Sequence, residues 1–110
     1  MPAAAAEATR RFEALVARAP GASVRKMFGQ PAAFLRGQMF LGVFGDEVFL
    51  RLAPGDRTRA VAEGGHPFEP MPGRPMREYV VLPPELLDRA AAARTWVRRS
   101  IEFVSGLPPK

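Results

Sequence analysis

The chain has no cysteine, which removes disulfides, thiolate metal sites and a cysteine nucleophile together. Its single histidine, His66, sits between Gly65 and Pro67. Glu63 and Glu69 nearby do not complete a metal site, which needs several ligands at workable spacing, so His66 reads as a loop residue. No apolar run approaches the roughly 18 residues that span a bilayer, and no membrane partner is expected. Neither G-x-G-x-x-G nor G-x-x-x-x-G-K-[ST] occurs, so no nucleotide cofactor is expected. Ser23, Ser100 and Ser105 fall in a turn, a helix and a helix end, none of them a strained nucleophile elbow. The acidic pairs Asp46–Glu47 and Glu85–Asp88 fall at a hairpin tip and in a helix first turn. Each placement has a structural reason, which leaves paired-carboxylate catalysis without support. No catalytic residue, metal or cofactor is expected, and the protein reads as non-enzymatic.

What is present bounds the class. A chain of 110 residues is long enough for one domain and too short for two. Its 47% hydrophobic and 25% charged residues are ordinary for a globular chain with its own core. The net charge is +5, and Arg supplies nearly all of the 16 basic residues. They come as singles and pairs, at 10–11, 25–26 and 98–99, without a long basic block. The N-terminus places alanines before arginines, the reverse of a secretory signal, and Glu7 and Glu13 argue against a mitochondrial transit peptide. A cytoplasmic location is the expectation.

Periodicity supplies the elements. Ala5, Ala8, Phe12, Leu15, Val16 and Ala19 form a helical apolar stripe that Pro20-Gly21 ends. "VRKMFGQP" reads as a first strand, with Gly29 and Pro31 bending the chain and Met27 and Phe28 pointing to opposite faces. "QMFLGVF" and "EVFLRL" flank Gly45-Asp46, a connection suited to a type II′ hairpin. That register sets Val43 against Val48, Leu41 against Leu50 and Met39 against Leu52 on an aliphatic face. Gly42 against Phe49 and Phe40 against Arg51 fall on a mixed one. A turn at Arg36-Gly37 pairs Phe34 with Met39 and Ala32 with Leu41, completing a three-stranded meander. A short helix follows, with Asp56 at its start and Gly64-Gly65 at its end. "HPFEPMPGRPM", with four prolines in eleven residues, reads as an extended connector with little ladder pairing. "REYVVLP" is a strand, and one long helix runs from Pro84 to Gly106. Its stripe is Leu86, Ala90, Ala93, Val97, Ile101 and Val104, with Leu87 and Trp96 on the shoulder. The order predicts an α+β fold: an antiparallel sheet of about five strands with helices mainly on one face.

Two surfaces stand out as contact candidates. The proline-rich connector exposes Met71 and Met76 beside Arg74 and Arg77, and "RKMFG" leaves Arg25 and Lys26 near a sheet edge. These six residues are the expected contact set for a protein partner. An alternative reading, direct nucleic-acid binding, uses Arg25, Lys26, Arg74 and Arg77 with Arg94, Arg98 and Arg99 of the last helix. A small-molecule binder or enzyme is the third reading. A monomer or a homodimer fits equally.

"KMFG", "GQMFLGVFGDEVFLRL", "PFEPMPGRPMREYVVLP" and "WVRRSIEFV", in that order, resemble the N-terminal domain of the TfoX/Sxy family over roughly residues 10 to 105. The resemblance implies a compact α+β domain similar to secretion-chaperone-like folds. Name-giving members regulate bacterial natural competence, acting with the cyclic-AMP receptor protein at certain promoters, and carry a second, C-terminal domain. Since this sequence stops at "SGLPPK", it reads as a stand-alone N-terminal domain. The family offers no catalytic residue to carry over.

Overall fold

Three tight turns set the sheet. Gly45 takes φ 64° and closes a hairpin whose register is Val43–Val48, Gly42–Phe49 and Leu41–Leu50. Arg36 and Gly37 both take positive φ, 49° and 83°, as a two-residue type I′ turn requires. Phe28 and Gly29 do the same, at 57° and 78°, so "VRKMFGQP" is a complete hairpin end rather than a bent strand. Phe28 is thus the first residue of a turn and has no strand face.

The computed structural model describes residues 3–110. Its elements run α1 (Ala3–Val16), β1 (Ser23–Met27), β2 (Gln30–Leu35), β3 (Gln38–Phe44), β4 (Glu47–Arg51), α2 (Pro54–Ala62), β5 (His66–Met71), β6 (Arg74–Leu82), α3 (Pro84–Leu87) and α4 (Ala90–Ser105). The six strands form one antiparallel sheet in the order β1-β2-β3-β4-β6-β5. The fold is α+β, with one strand more than the sequence predicts.

The added strand is the proline-rich segment. Pro72-Gly73 makes the β5–β6 turn, with Gly73 at φ 75° and its N–H donating to the Glu69 carboxylate at 2.8 Å. Pro67 and Pro70 are tolerated because β5 is the sheet edge, where one side of the strand needs no donor. Register shifts on either side of Phe68 absorb the remaining mismatch.

A bulge corrects the meander. Phe34 pairs with Met39 as expected, but Ala33 rather than Ala32 pairs with Leu41, which leaves Phe40 as an extra residue on β3. An extra residue shifts the side-chain alternation by one. Phe40 therefore joins Leu41, Val43, Val48 and Leu50 in the core beneath the helices. Met39 goes to the other face with Ala32 and Phe34.

The helix layer covers one face. Ala8, Phe12 and Leu15 of α1, Ala60 of α2, Leu86 and Leu87 of α3 and Trp96, Val97 and Val104 of α4 share that core. Full burial of each large apolar side chain contributes about 1.5–3 kcal/mol. The predicted long helix is broken at Asp88–Arg89, where Arg89 is extended (φ −90°, ψ 117°). Arg11 of α1 grips the Asp88 carboxylate there with two hydrogen bonds, Nε at 2.8 Å and Nη2 at 3.1 Å. The break leaves Ala90 exposed, brings Trp96 fully inward and buries Ser100. The Ser100 hydroxyl lies 2.7 Å from the Arg51 carbonyl and 3.2 Å from that of Phe40.

Two expected outcomes test these features. At Gly42 a Cβ would lie 2.4 Å from Phe49 Cζ, so Gly42→Ala should lower unfolding free energy by about 2–3 kcal/mol in urea titration. The Arg11 hydrogen bond holds the Asp88 carboxyl below its ordinary value. Because the folded value is the lower one, the pair's contribution is full above the unfolded carboxyl value of about 4 and vanishes as pH falls through the folded value. Asp88→Asn should remove that acid dependence from the stability–pH curve. Its cost at neutral pH should stay below about 1 kcal/mol, since the carboxylate is largely solvated.

Candidate protein-contact surface

The sheet face away from the helices carries a second core. Phe49 stacks on Phe68 with ring centroids 4.1 Å apart and planes 12° apart. Tyr79 meets Phe49 edge-on at 5.7 Å, and Phe44 meets Phe68 at 5.6 Å. The Tyr79 hydroxyl donates to the Met39 carbonyl at 3.0 Å, and burial pushes its pKa up.

This face is curled. β1 and β5 are five spacings apart in the strand order, which in a flat sheet would be about 24 Å. Yet Phe28, in the β1–β2 turn, sits 6.2 Å from Phe68 of β5 and 5.4 Å from Phe44, edge-on in both cases. The Gln30 side chain secures the turn, its amide donating to the Gly45 carbonyl at 3.0 Å and its carbonyl accepting from the Gly45 N–H at 2.6 Å. Alongside, His66 Nε2 lies 3.1 Å from the Glu47 carboxylate, and His66 is the first residue of β5 rather than a loop residue.

Around this cluster apolar surface is left in solvent. Phe28 is 47% exposed, Met27 37% and Met71 61%. Met76 is half-buried opposite Phe68 and packs on the cluster. One end of the face is polar and tightly bonded. Arg51 donates to Glu78 at 2.7 Å and to Gln38 at 2.8 Å, and Gln38 donates to the Pro108 carbonyl at 2.8 Å.

The candidate residues separate. Met76 and Met71 lie along β5–β6, with Arg74 paired to Met71 across the turn. Arg77 is exposed, and its carbonyl accepts from Arg57 of α2. Arg25 and Lys26 lie on β1, at the opposite end of the strand order. They also occupy opposite faces: Arg25 pairs with Ala32 and its guanidinium sits 3.9 Å from the Phe34 ring centroid, whereas Lys26 pairs with Pro31. Arg94, Arg98 and Arg99 belong to the helix layer. Arg98 lies 3.9 Å from Glu102, and Arg99 lies 3.8 Å from Asp56 with its guanidinium over Trp96. The seven basic residues thus spread over both ends of the sheet and the helix layer.

Concave polar sites are modest. A groove of about 390 Å³ runs between α1 and the start of α4, past Arg11 and Asp88, and one of about 320 Å³ holds the His66–Glu47 pair. Among the described residues no three metal-ligating side chains come together.

The family model for the TfoX N-terminal domain matches residues 14–104. The chain belongs to the TfoX N-terminal domain family. No curated protein matches it.

In this TfoX N-terminal domain the aromatic cluster escapes sequence reasoning because Phe68 sits in the proline-rich segment and Phe28 looks like a strand residue. The overlooked signals were Pro72-Gly73 between two extended runs, and Phe28-Gly29 as a two-residue turn. A bulky side chain in left-handed backbone costs about 1–2 kcal/mol, and the half-buried Phe28 ring returns a similar amount through burial and edge contacts. Phe28→Gly should therefore shift unfolding free energy by less than about 1 kcal/mol, measured by chemical denaturation.

Proposed function

We propose that this TfoX N-terminal domain is a non-enzymatic module that binds another protein through its curled sheet face. The observation that carries the reading is Phe28, a half-exposed aromatic ring held in left-handed backbone over an aromatic cluster. Glycine would suit that turn position without strain, so the ring's worth lies in what it presents. Met27, Met71 and Met76 extend the apolar surface with side chains that adapt to varied partners. Arg25 and Arg74 add positive charge, which suits a partner offering an apolar anchor flanked by carboxylates. By analogy with the name-giving members of the family, the bound protein belongs to bacterial transcriptional regulation in the cytoplasm.

Met71→Glu tests this directly, because Met71 is too exposed to affect folding. The wild-type domain should retain one partner stoichiometrically from lysate of its own source. Met71→Glu and Phe28→Gly should each weaken that complex at least about tenfold, as calorimetry on the purified pair would measure. Equal affinities for all three proteins would overturn the reading.

A further inference from the structure

The two edges of the sheet are built differently. β5 is blunted by Pro67 and Pro70 and by register shifts around Phe68, devices that stop a further strand from pairing. β1 has neither. Its pairing with β2 runs without a shift from Ser23–Phe34 to Met27–Gln30, it contains no proline, and all five of its residues are exposed. No described strand pairs with its outer side.

The register says which groups are free. In a hairpin with a two-residue turn the flanking pair, here Met27–Gln30, is hydrogen-bonded, and bonded and non-bonded pairs then alternate. The main-chain N–H and C=O of Val24 and Lys26 therefore face outward. Two residues with both groups free offer four ladder hydrogen bonds to an added strand.

Charge decides what fits. A second copy pairing antiparallel and centred on β1 would set Arg25 against Arg25, and like charges directly opposite one another destabilise a ladder. An acidic strand reverses that sign, with carboxylates facing Arg25 and Lys26. The neighbouring Val24 and Met27, 50% and 37% exposed, supply apolar contact at the two flanking positions. Positive charge on this edge thus rejects the protein's own copy while admitting a partner of opposite sign.

We infer that β1 accepts an extended acidic segment of the partner by antiparallel strand addition, an inference that rests on the protein-binding reading above. Read antiparallel to Val24–Met27, the segment has the pattern apolar-acidic-acidic-apolar.

The probe is the capped peptide Thr-Val-Glu-Glu-Val-Thr, with Thr-Val-Lys-Lys-Val-Thr as its control, titrated into the 110-residue protein at low salt. Amide exchange read by NMR should slow at Val24 and Lys26 with the acidic peptide, which should bind about tenfold more tightly than the control. The double variant Arg25→Glu/Lys26→Glu should invert the preference, and Val24→Pro should abolish protection, since it removes an outward donor that β2 does not use. Three results would overturn the inference: no protection with either peptide, unchanged preference in the double variant, or β1 amides already protected in a self-dimer. Shifts confined to Phe28, Met71 and Met76 would sink the strand addition while leaving the sheet-face reading intact. Protection at β1 together with a Met71→Glu variant that binds the partner normally would do the opposite.

Discussion

The stacking of Phe49 on Phe68 is the contact on which the second face depends. Phe49 lies in the middle of the meander, opposite Gly42, and Phe68 lies on the far edge strand. Bringing the two rings together needs three things at once: space above Gly42, a β5–β6 hairpin that returns Phe68 to the sheet, and curl that folds the edge over the face. Tyr79, Phe44 and Phe28 pack around that contact. The sheet is then buried on both faces by different means: by four helices on one side, and by its own curvature on the other.

That arrangement explains why the exposed apolar groups gather where they do. A curled sheet can bury the middle of its concave face but not the rim, because no further layer of the described residues covers it. Phe28, Met27 and Met71 are rim residues, and their exposure follows from the geometry. On the helix side the exposed large apolar residue is Val61 of α2, 46% exposed. The core on that side is closed by the break at Asp88–Arg89, which lets α3 and α4 each turn their own apolar side inward.

Much of the architecture was legible in the residues. The Gly45 hairpin, its register, the role of Gly42 and the α+β class follow from alternation and turn chemistry, both local properties. The aliphatic face was read correctly at Leu41, Val43, Val48 and Leu50, and wrongly at Ala32, Phe34, Met39 and Phe40. A bulge is one extra residue chosen by packing, and alternation alone cannot announce it. Proline density misled more seriously, because prolines forbid a central strand yet suit an edge, and edge status is a property of the whole sheet. Of the candidate contact residues, Met76 packs on the aromatic cluster, while Met71 is exposed at the end of β5. The arginines, chosen by type and spacing alone, scattered over the surface.

The division has a physical basis. Turn positions that need positive φ, stripes of period 3.6 and alternation of period 2 are decided within a few residues, so the sequence was sufficient for the Arg36-Gly37 and Gly45-Asp46 turns, α1 and the class of fold. Strand order, curl, the bulge at Phe40 and the helix break are decided by which distant surfaces bury one another. Arg11 meeting Asp88 and Phe28 meeting Phe68 join segments far apart in the chain. Only the folded molecule brings such segments within van der Waals range, so only tertiary structure could turn scattered aromatics into one face and leave β1 as its open edge.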